Sequence, residues 1–202
     1  MAILVTLTAL YLVISGIQYW ITDYVQSVLG HTKEQAFMIY ILVGALGPVL
    51  GVAFSGFVFD RIGGYHGRRT PALFTIFLTI SVALGITSVI WANVYICAGC
   101  ILLQLFFGGL CVPVLTGYML AQVPSKMRTN GNSLANMFYN LLGFFPAPSI
   151  YGIVYQSFGS GESRMGLASI QLFGVAAMFF LFPAVVRRRL RDKREMKDMI
   201  EL

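Results

Sequence analysis

Six apolar runs, each long enough to cross a lipid bilayer, account for most of this chain. A transmembrane helix needs about 20 mostly apolar residues, and 57% of the 202 residues are apolar whereas 11% are charged. Polar residues are therefore too scarce to cover a soluble domain. The predicted spans cover residues 2–22, 36–58, 71–91, 94–122, 133–157 and 165–186. We expect an all-α integral membrane protein with six transmembrane helices.

The net charge of +6 is concentrated at the ends of the apolar runs. Twelve of the fourteen Lys and Arg residues follow spans two, four and six, and only Lys33 and Arg164 fall on the other side. Cytoplasmic loops carry the excess of Lys and Arg, which predicts that both termini are cytoplasmic. Residues 1–186 then form the membrane domain, and residues 187–202 form a basic cytoplasmic tail beside membrane lipid. Because the basic residues lie at membrane boundaries without an aromatic-lined groove, nucleic acid is not expected as a partner.

The chain lacks the sequence patterns of the common catalytic and metal sites. No Asp, Glu, Lys or Arg lies deep in a predicted span, where such residues mark proton relays and ion sites. A G-x-S-x-G serine, a Walker glycine loop and a zinc-binding spacing are also missing. Cys97 and Cys100 form a C-x-x-C sequence, which in an apolar helix is more typical of packing residues. We therefore expect no enzyme activity, cofactor or metal.

Span one carries polar residues at steps of three and four, which places them on one helical face. These residues are Thr8, Tyr11, Ser15, Gln18 and Thr22. Two interpretations remain open, because the side chains either hydrogen-bond to neighbouring helices or line a water-accessible cavity. The adjoining Tyr19 and Trp20 favour the cavity.

Small residues and prolines predict close packing and bends in three other spans. In span two, Gly47, Gly51 and Ser55 form a ridge that lets another backbone approach closely, and Pro48 removes one helical hydrogen bond. Span four has Pro113 at a predicted kink.

Span five contains Gly143, Pro146 and Pro148. Two prolines and a glycine within one span predict a discontinuous or strongly kinked helix, which membranes tolerate only against protein or water. Spans one, two, four and five carry patterned polar or small residues, whereas spans three and six are nearly featureless. Spans one, two, four and five are therefore expected to be inner helices, and spans three and six outer helices.

The loop between spans two and three has a distinctive order of residues. It reads Gly56-Phe-Val-Phe-Asp60-Arg61-Ile-Gly63-Gly64-Tyr-His-Gly67-Arg68-Arg69. This order resembles the loop signature of the major facilitator superfamily, which lies between the second and third helices of each six-helix half. The Gly-Gly-Tyr-His-Gly insert before the arginines departs from the usual pattern. A basic loop is explained by topology alone, but Asp60 is not.

Two further segments resemble particular branches of that superfamily. Val123-Pro124-Ser-Lys-Met-Arg128, followed by Leu141-Leu142-Gly143, Pro148 and Gly152, resembles the Spinster-like lipid transporters. The spacing of Gly143, Pro146, Pro148 and Gly152 is also similar to organic-anion-transporting polypeptides. These resemblances imply a plasma-membrane or endolysosomal location.

The resemblance implies that the chain is a C-terminal half and that two six-helix halves rock about a central site. It implies transport of a small organic or amphipathic solute, with a second half supplied by a missing N-terminal half or by a homodimer. By analogy Asp60 faces a helix end of the other half, and Arg61 or Arg68 pairs across the inner seam. A membrane scaffold that has lost transport is the alternative.

The implied functional residues fall into two groups. The candidate solute-binding residues are Tyr11, Ser15, Gln18, Tyr19, Gln104, Tyr118, Asn136 and Asn140. The candidate gating residues are Gly56, Asp60, Arg61, Gly63, Arg68, Pro146 and Pro148.

Overall fold

The computed structural model describes residues 2–64, 67, 69–91, 93–158 and 164–200, with the side chains of the last helix described as far as Phe182 and at Val185. Every regular element within these residues is helical. Six stretches are long and apolar enough to cross a membrane, and in chain order they form spans one to six. The spans are Ala2–Val28, Lys33–Asp60, Thr70–Ile90, Val94–Ala121, Ser125–Ser157 and Met165–Phe182. The expected all-α fold with six membrane-spanning helices is confirmed.

Spans one, two and five each contain a π-helical segment, whereas spans three, four and six are continuous α-helices. Span one consists of α1 (Ala2–Asp23) and a π segment (Tyr24–Val28). Span two consists of α2 (Lys33–Tyr40), a π segment (Ile41–Leu46) and α3 (Gly47–Asp60). Spans three and four are α4 (Thr70–Ile90) and α5 (Val94–Ala121). Span five consists of a 3₁₀ turn (Ser125–Met127), α6 (Arg128–Tyr139), a π segment (Asn140–Phe144) and α7 (Pro146–Ser157). Span six begins α8 (Met165–Ile200), whose backbone helix continues into the residues predicted to form the tail.

The predicted interruption of span five is confirmed, because α6 ends at Tyr139 and α7 begins at Pro146. Proline lacks a backbone N–H and fits the first turn of a helix, where that donor has no intrahelical partner. Pro48 likewise lies in the first turn of α3. Pro113, in contrast, lies within the continuous helix α5. In spans two and five, a proline in the first turn of a new helix therefore lies two residues after the end of a π segment.

The small-residue ridge of α3 packs directly against the backbone of α5. A methyl group at Gly51 would contact the carbonyl oxygen of Phe106 and lie 3.0 Å from the Cα atom of Gly109. One turn later, the hydroxyl of Ser55 donates a hydrogen bond of 2.8 Å to the carbonyl oxygen of Leu110. The prediction that this ridge permits close backbone approach is confirmed.

Spans one and four form the centre of the bundle. In their most apolar stretches 56% and 50% of the residues are buried, against 22% in both span two and span five. Of the C-x-x-C pair in span four, Cys97 is a buried free thiol, as expected for a packing residue, whereas the free thiol of Cys100 is half-buried. Spans two and five, expected as inner helices, therefore lie at the edge of the bundle that this chain forms.

A reciprocal pair of amide hydrogen bonds joins α5 to α8. Gln104 Nε2 donates to Gln171 Oε1 at 2.6 Å, and Gln171 Nε2 donates to Gln104 Oε1 at 3.1 Å. The two side chains are only 3% and 4% exposed. A methyl group at Gly85 of α4 would lie 2.6 Å from Gln104 Nε2, so the glycine makes room for the pair. Because each buried amide satisfies the other, the pair fixes how α4, α5 and α8 fit together.

Replacing Gly51 with alanine tests the contact between α3 and α5. The added methyl group has no room unless the two backbones separate, and we expect a cost of about 1–3 kcal/mol from overpacking. The melting temperature of the full chain in detergent should fall by about 2–4 °C for each 1 kcal/mol. Gly99→Ala is the matched control, because nothing lies within 4 Å of a methyl group added at that helical glycine. Equal melting temperatures for the two variants would contradict the observed packing.

Leucine substitutions test the amide pair. Gln104→Leu or Gln171→Leu alone leaves one buried amide without its partner, which should cost about 1–3 kcal/mol. The double variant should be destabilised by less than the sum of the single variants, because neither unpaired amide remains. The measurement is a double-mutant cycle on melting temperature. Gln156→Leu, at an exposed amide in α7, is the control. Additive losses would exclude the pair as a stabilising unit.

Candidate functional site

The polar face of α1 makes hydrogen bonds to two other spans. Ser15 Oγ donates to the carbonyl oxygen of Phe144 at 2.9 Å, and Gln18 Nε2 donates to the carbonyl oxygen of Gly44 at 2.9 Å. Both acceptors lie in π segments, one in span five and the other in span two. At Ser15 and Gln18, the structure therefore supports the interpretation in which the polar face of α1 hydrogen-bonds to neighbouring helices.

Aromatic contacts join α1 to span five above and below these hydrogen bonds. Tyr11 stacks on Tyr139, with ring centroids 4.2 Å apart. The hydroxyl of Tyr139 donates to Asn136 Oδ1. Farther along α1, Trp20 Nε1 donates to the carbonyl oxygen of Pro148 at 2.9 Å. Span one and span five therefore form one side of the bundle.

Two of the candidate solute-binding residues, one in span one and one in span five, are exposed. Tyr19 is 65% exposed and contacts Trp20 edge to face, with ring centroids 5.4 Å apart. Asn140 is also exposed, and its Nδ2 donates to the carbonyl oxygen of Asn136 at 2.8 Å. Tyr11, Gln18 and Asn136 are half-buried. An exposed or partly exposed set from spans one and five thus offers aromatic rings and amides without a formal charge.

The other candidate solute-binding residues are buried among the helices of this chain. Ser15 is 3% exposed, Gln104 is held by Gln171, and Tyr118 is 7% exposed. The ring of Tyr118 meets Phe74 of α4 edge to face, with centroids 6.1 Å apart. Gln104 and Tyr118 are therefore enclosed by the helices of this chain, whereas Tyr19 and Asn140 are exposed.

The candidate gating residues of span two lie at the carboxyl end of α3. Asp60 is the last residue of that helix and is exposed. A methyl group at Gly56, one turn earlier, would lie 3.9 Å from Asp60 Oδ2. The guanidinium carbon of Arg61 lies 3.9 Å from the centroid of the Phe57 ring, which is a cation–π contact. Arg68 lies outside the described residues. Because the carboxyl end of a helix is its negative end, the charge of Asp60 is unfavourable toward its own helix.

The turn after Asp60 depends on glycine. Gly63 has φ +98° and Gly64 has φ +59°, which residues with a Cβ atom rarely adopt. The hydroxyl of Thr70, the first residue of α4, donates to the carbonyl oxygen of Gly64 at 2.6 Å. Gly63 therefore shapes the connection between α3 and α4.

The two candidate gating prolines have different surroundings. Pro146 begins α7, and Pro148 lies one half-turn later with its carbonyl oxygen bound to Trp20.

Gln171 was not recognised as a candidate from the sequence, although it is the one amide side chain of span six. A polar side chain in an apolar span indicates a hydrogen-bond partner in a neighbouring helix, and that signal would have identified it.

The described residues contain no group of three or more His, Cys, Asp or Glu side chains that could hold a metal ion. The exposed side of spans one and five instead offers the phenol of Tyr19, the amide of Asn140 and surrounding apolar surface. Such a surface can bind uncharged polar groups and apolar chains by hydrogen bonding and stacking.

Comparison with known proteins identifies the fold. No curated protein sequence matches the chain significantly. A solved structure of a bacterial homologue of the human lysosomal transporter Spinster, in an inward-facing and unoccupied conformation, has a similar fold, with a TM-score of 0.70 and 14% identity. The match covers 98% of this chain but 48% of the bacterial chain, so this chain spans about half the length of its structural neighbour. The family model of the Major Facilitator Superfamily matches residues 1–148, which is well over half of the sequence. The chain belongs to the Major Facilitator Superfamily.

Proposed function

We propose that this chain is the C-terminal six-helix half of a secondary transporter that moves a small organic or amphipathic solute by alternating access. The family match over residues 1–148 is the observation that carries this proposal. In transporters built from repeats, the substrate site lies between the halves, and one half rocks against the other. One half alone supplies one wall of such a site.

A second six-helix half is part of the proposal. Spans two and five are the least buried spans of this chain, and the structural neighbour is about twice as long. A second half covering spans two and five would give them the inner positions that their sequence pattern predicts. Either an N-terminal half or a second copy of this chain would supply it. Both termini are proposed to be cytoplasmic, in a plasma or endolysosomal membrane.

The proposed solute wall is narrower than the set of candidates from the sequence. Tyr19 and Asn140 are exposed, and Tyr11 and Asn136 are partly exposed in the same two spans. Ser15, Gln104 and Tyr118 are excluded from this wall because they are buried. Gln18 is excluded because its amide nitrogen donates to the carbonyl oxygen of Gly44. An uncharged wall of rings and amides suits an amphipathic solute, and a lipid-like solute in particular.

The proposed cytoplasmic gate is the turn that contains Gly56, Asp60, Arg61 and Gly63. Asp60 is exposed at the unfavourable end of its own helix, so its charge favours a partner beyond α3. The amino-terminal end of a helix in the other half would supply that partner. Arg68 is proposed to pair across the same seam.

Alanine substitutions at Tyr19 and Asn140 test the solute wall. The full chain would be reconstituted in liposomes and assayed with a fluorescent lysophospholipid and, separately, a labelled neutral sugar. Loss of one ring or amide contact of ~1 kcal/mol should raise KM about fivefold with little change in kcat. Tyr95→Ala is the control, because Tyr95 is 80% exposed but lies at the beginning of α5. Unchanged KM values for both substitutions would remove these residues from the wall.

Replacing Asp60 with asparagine tests the gate. We expect turnover to fall about tenfold or more, because ~1.4 kcal/mol lost from one conformational state changes its population tenfold. KM should change little, since Asp60 lies outside the proposed wall. Glu34→Gln provides the control at an exposed acid in the first turn of α2. If the unmodified chain carries neither probe, alone or with a second half, the scaffold alternative is favoured.

A further inference from the structure

Two side chains one turn apart on α1 hold the main chains of two different spans. Ser15 bonds to Phe144 in the π segment of span five, and Gln18 bonds to Gly44 in the π segment of span two. A π turn changes the regular hydrogen-bond pattern of a helix and is often found at functional positions. The carbonyl groups of Gly44 and Phe144 also lie four residues before Pro48 and Pro148, which have no N–H to donate to them. Within a bilayer, where water is absent, such carbonyl groups need another donor. Both π segments receive such a partner from α1.

The contact with span five is closer than an ordinary helix contact. A methyl group at Gly143 would contact the carbonyl oxygen of Thr8 and lie 3.2 Å from the Cβ atom of Tyr11. Glycine at this position therefore allows the π segment to reach α1, where the hydroxyl of Ser15 binds the next carbonyl group along the chain. Ser15 is only 3% exposed, so a solute has no room to contact its hydroxyl.

The same two π segments lie in the least buried spans, and each ends two residues before a proline in the first turn of the next helix. Prolines and π turns are the usual places where a helix bends. Span two can therefore bend between α2 and α3, and span five can bend between α6 and α7. Each bend has a hydrogen bond to α1 at its centre.

We propose that Ser15 and Gln18 are positioning residues that hold the bends of spans two and five to a single helix, and that they do not contact solute. The hydrogen-bonding part of this proposal rests on the observed geometry alone. Its effect on turnover rests on the proposed transport function. Loss of either side chain leaves a carbonyl group in the bilayer without its partner and loosens one bend only.

Hydrogen–deuterium exchange of the full chain in lipid nanodiscs tests the proposal without any solute. Ser15→Ala should raise amide exchange about threefold in residues 140–148, the effect of losing one average interhelical hydrogen bond in a membrane. Gln18→Met, which keeps the length of the side chain but removes the donor, should have the same effect in residues 41–48 only. Thr8→Val is the matched control, because the Thr8 hydroxyl bonds to Leu4 in its own helix.

A similar rise in all six spans would mean general destabilisation and would overturn the proposal, as would unchanged exchange in both segments. Ser15→Cys has a weaker donor of similar size and should give an intermediate rise, so the test remains decisive if Ser15→Ala does not fold.

Transport kinetics with the fluorescent lysophospholipid or the labelled sugar supply a second readout. A positioning role predicts that kcat falls while KM stays within about twofold. A rise in KM at unchanged kcat would show solute contact and overturn the proposal. If the unmodified chain carries neither probe, alone or with a second half, the proposed transport function fails. The exchange experiment still decides whether Ser15 and Gln18 hold the two bends.

Discussion

Main-chain carbonyl groups must find hydrogen-bond donors inside the bilayer, and this requirement governs most polar side chains of the bundle. Ser15 and Gln18 donate to carbonyls of two π segments. Ser55 donates to a carbonyl of α5, and Ser81 donates to another carbonyl of the same helix at 2.9 Å. Arg164 donates to the carbonyl oxygen of Ile90 at 2.8 Å, at the carboxyl end of α4. The bonds from Ser15, Gln18, Ser55 and Ser81 each link two spans. The same groups that satisfy the backbone therefore also help determine which helices lie side by side.

Features that depend on local chain properties could be predicted from the sequence. Six spans follow from the length of the apolar runs, because bilayer thickness fixes the length of a helix that crosses it. The break in span five follows from Pro146, which cannot donate a helical hydrogen bond. The ridge of Gly51 and Ser55 follows from their spacing of four, which stacks small residues on one helical face. None of these predictions requires knowledge of a partner helix.

Features that depend on a distant partner could not be predicted in the same way. Gln104 and Asn140 are both amide side chains in spans with patterned polar residues, and from their spacing alone both are predicted to bind solute. Gln104 is buried because Gln171, 67 residues later, reaches it from α8. Asn140 is exposed, with its amide bound within its own span. The π segments also depend on a distant partner. The widened turn at Gly44 is stabilised by Gln18, which binds the carbonyl group of Gly44 from another span.

The distribution of these contacts divides the bundle into two groups of helices with different consequences for motion. Gly51 and Ser55 fasten α3 to the backbone of α5, with too little space at Gly51 for even a methyl group. A bend at the π segment of span two would therefore carry α3 and Asp60 together with α5. Tyr19 belongs to α1, which is joined to span five through Ser15 and Trp20. The proposed gate and the proposed solute wall thus lie on different helix groups, and Gln18 is one of the bonds between them. Because packed helices shift as units, a change at the wall would reach Asp60 through contacts between the two groups, which include Gln18 and the buried core that α1 shares with α5.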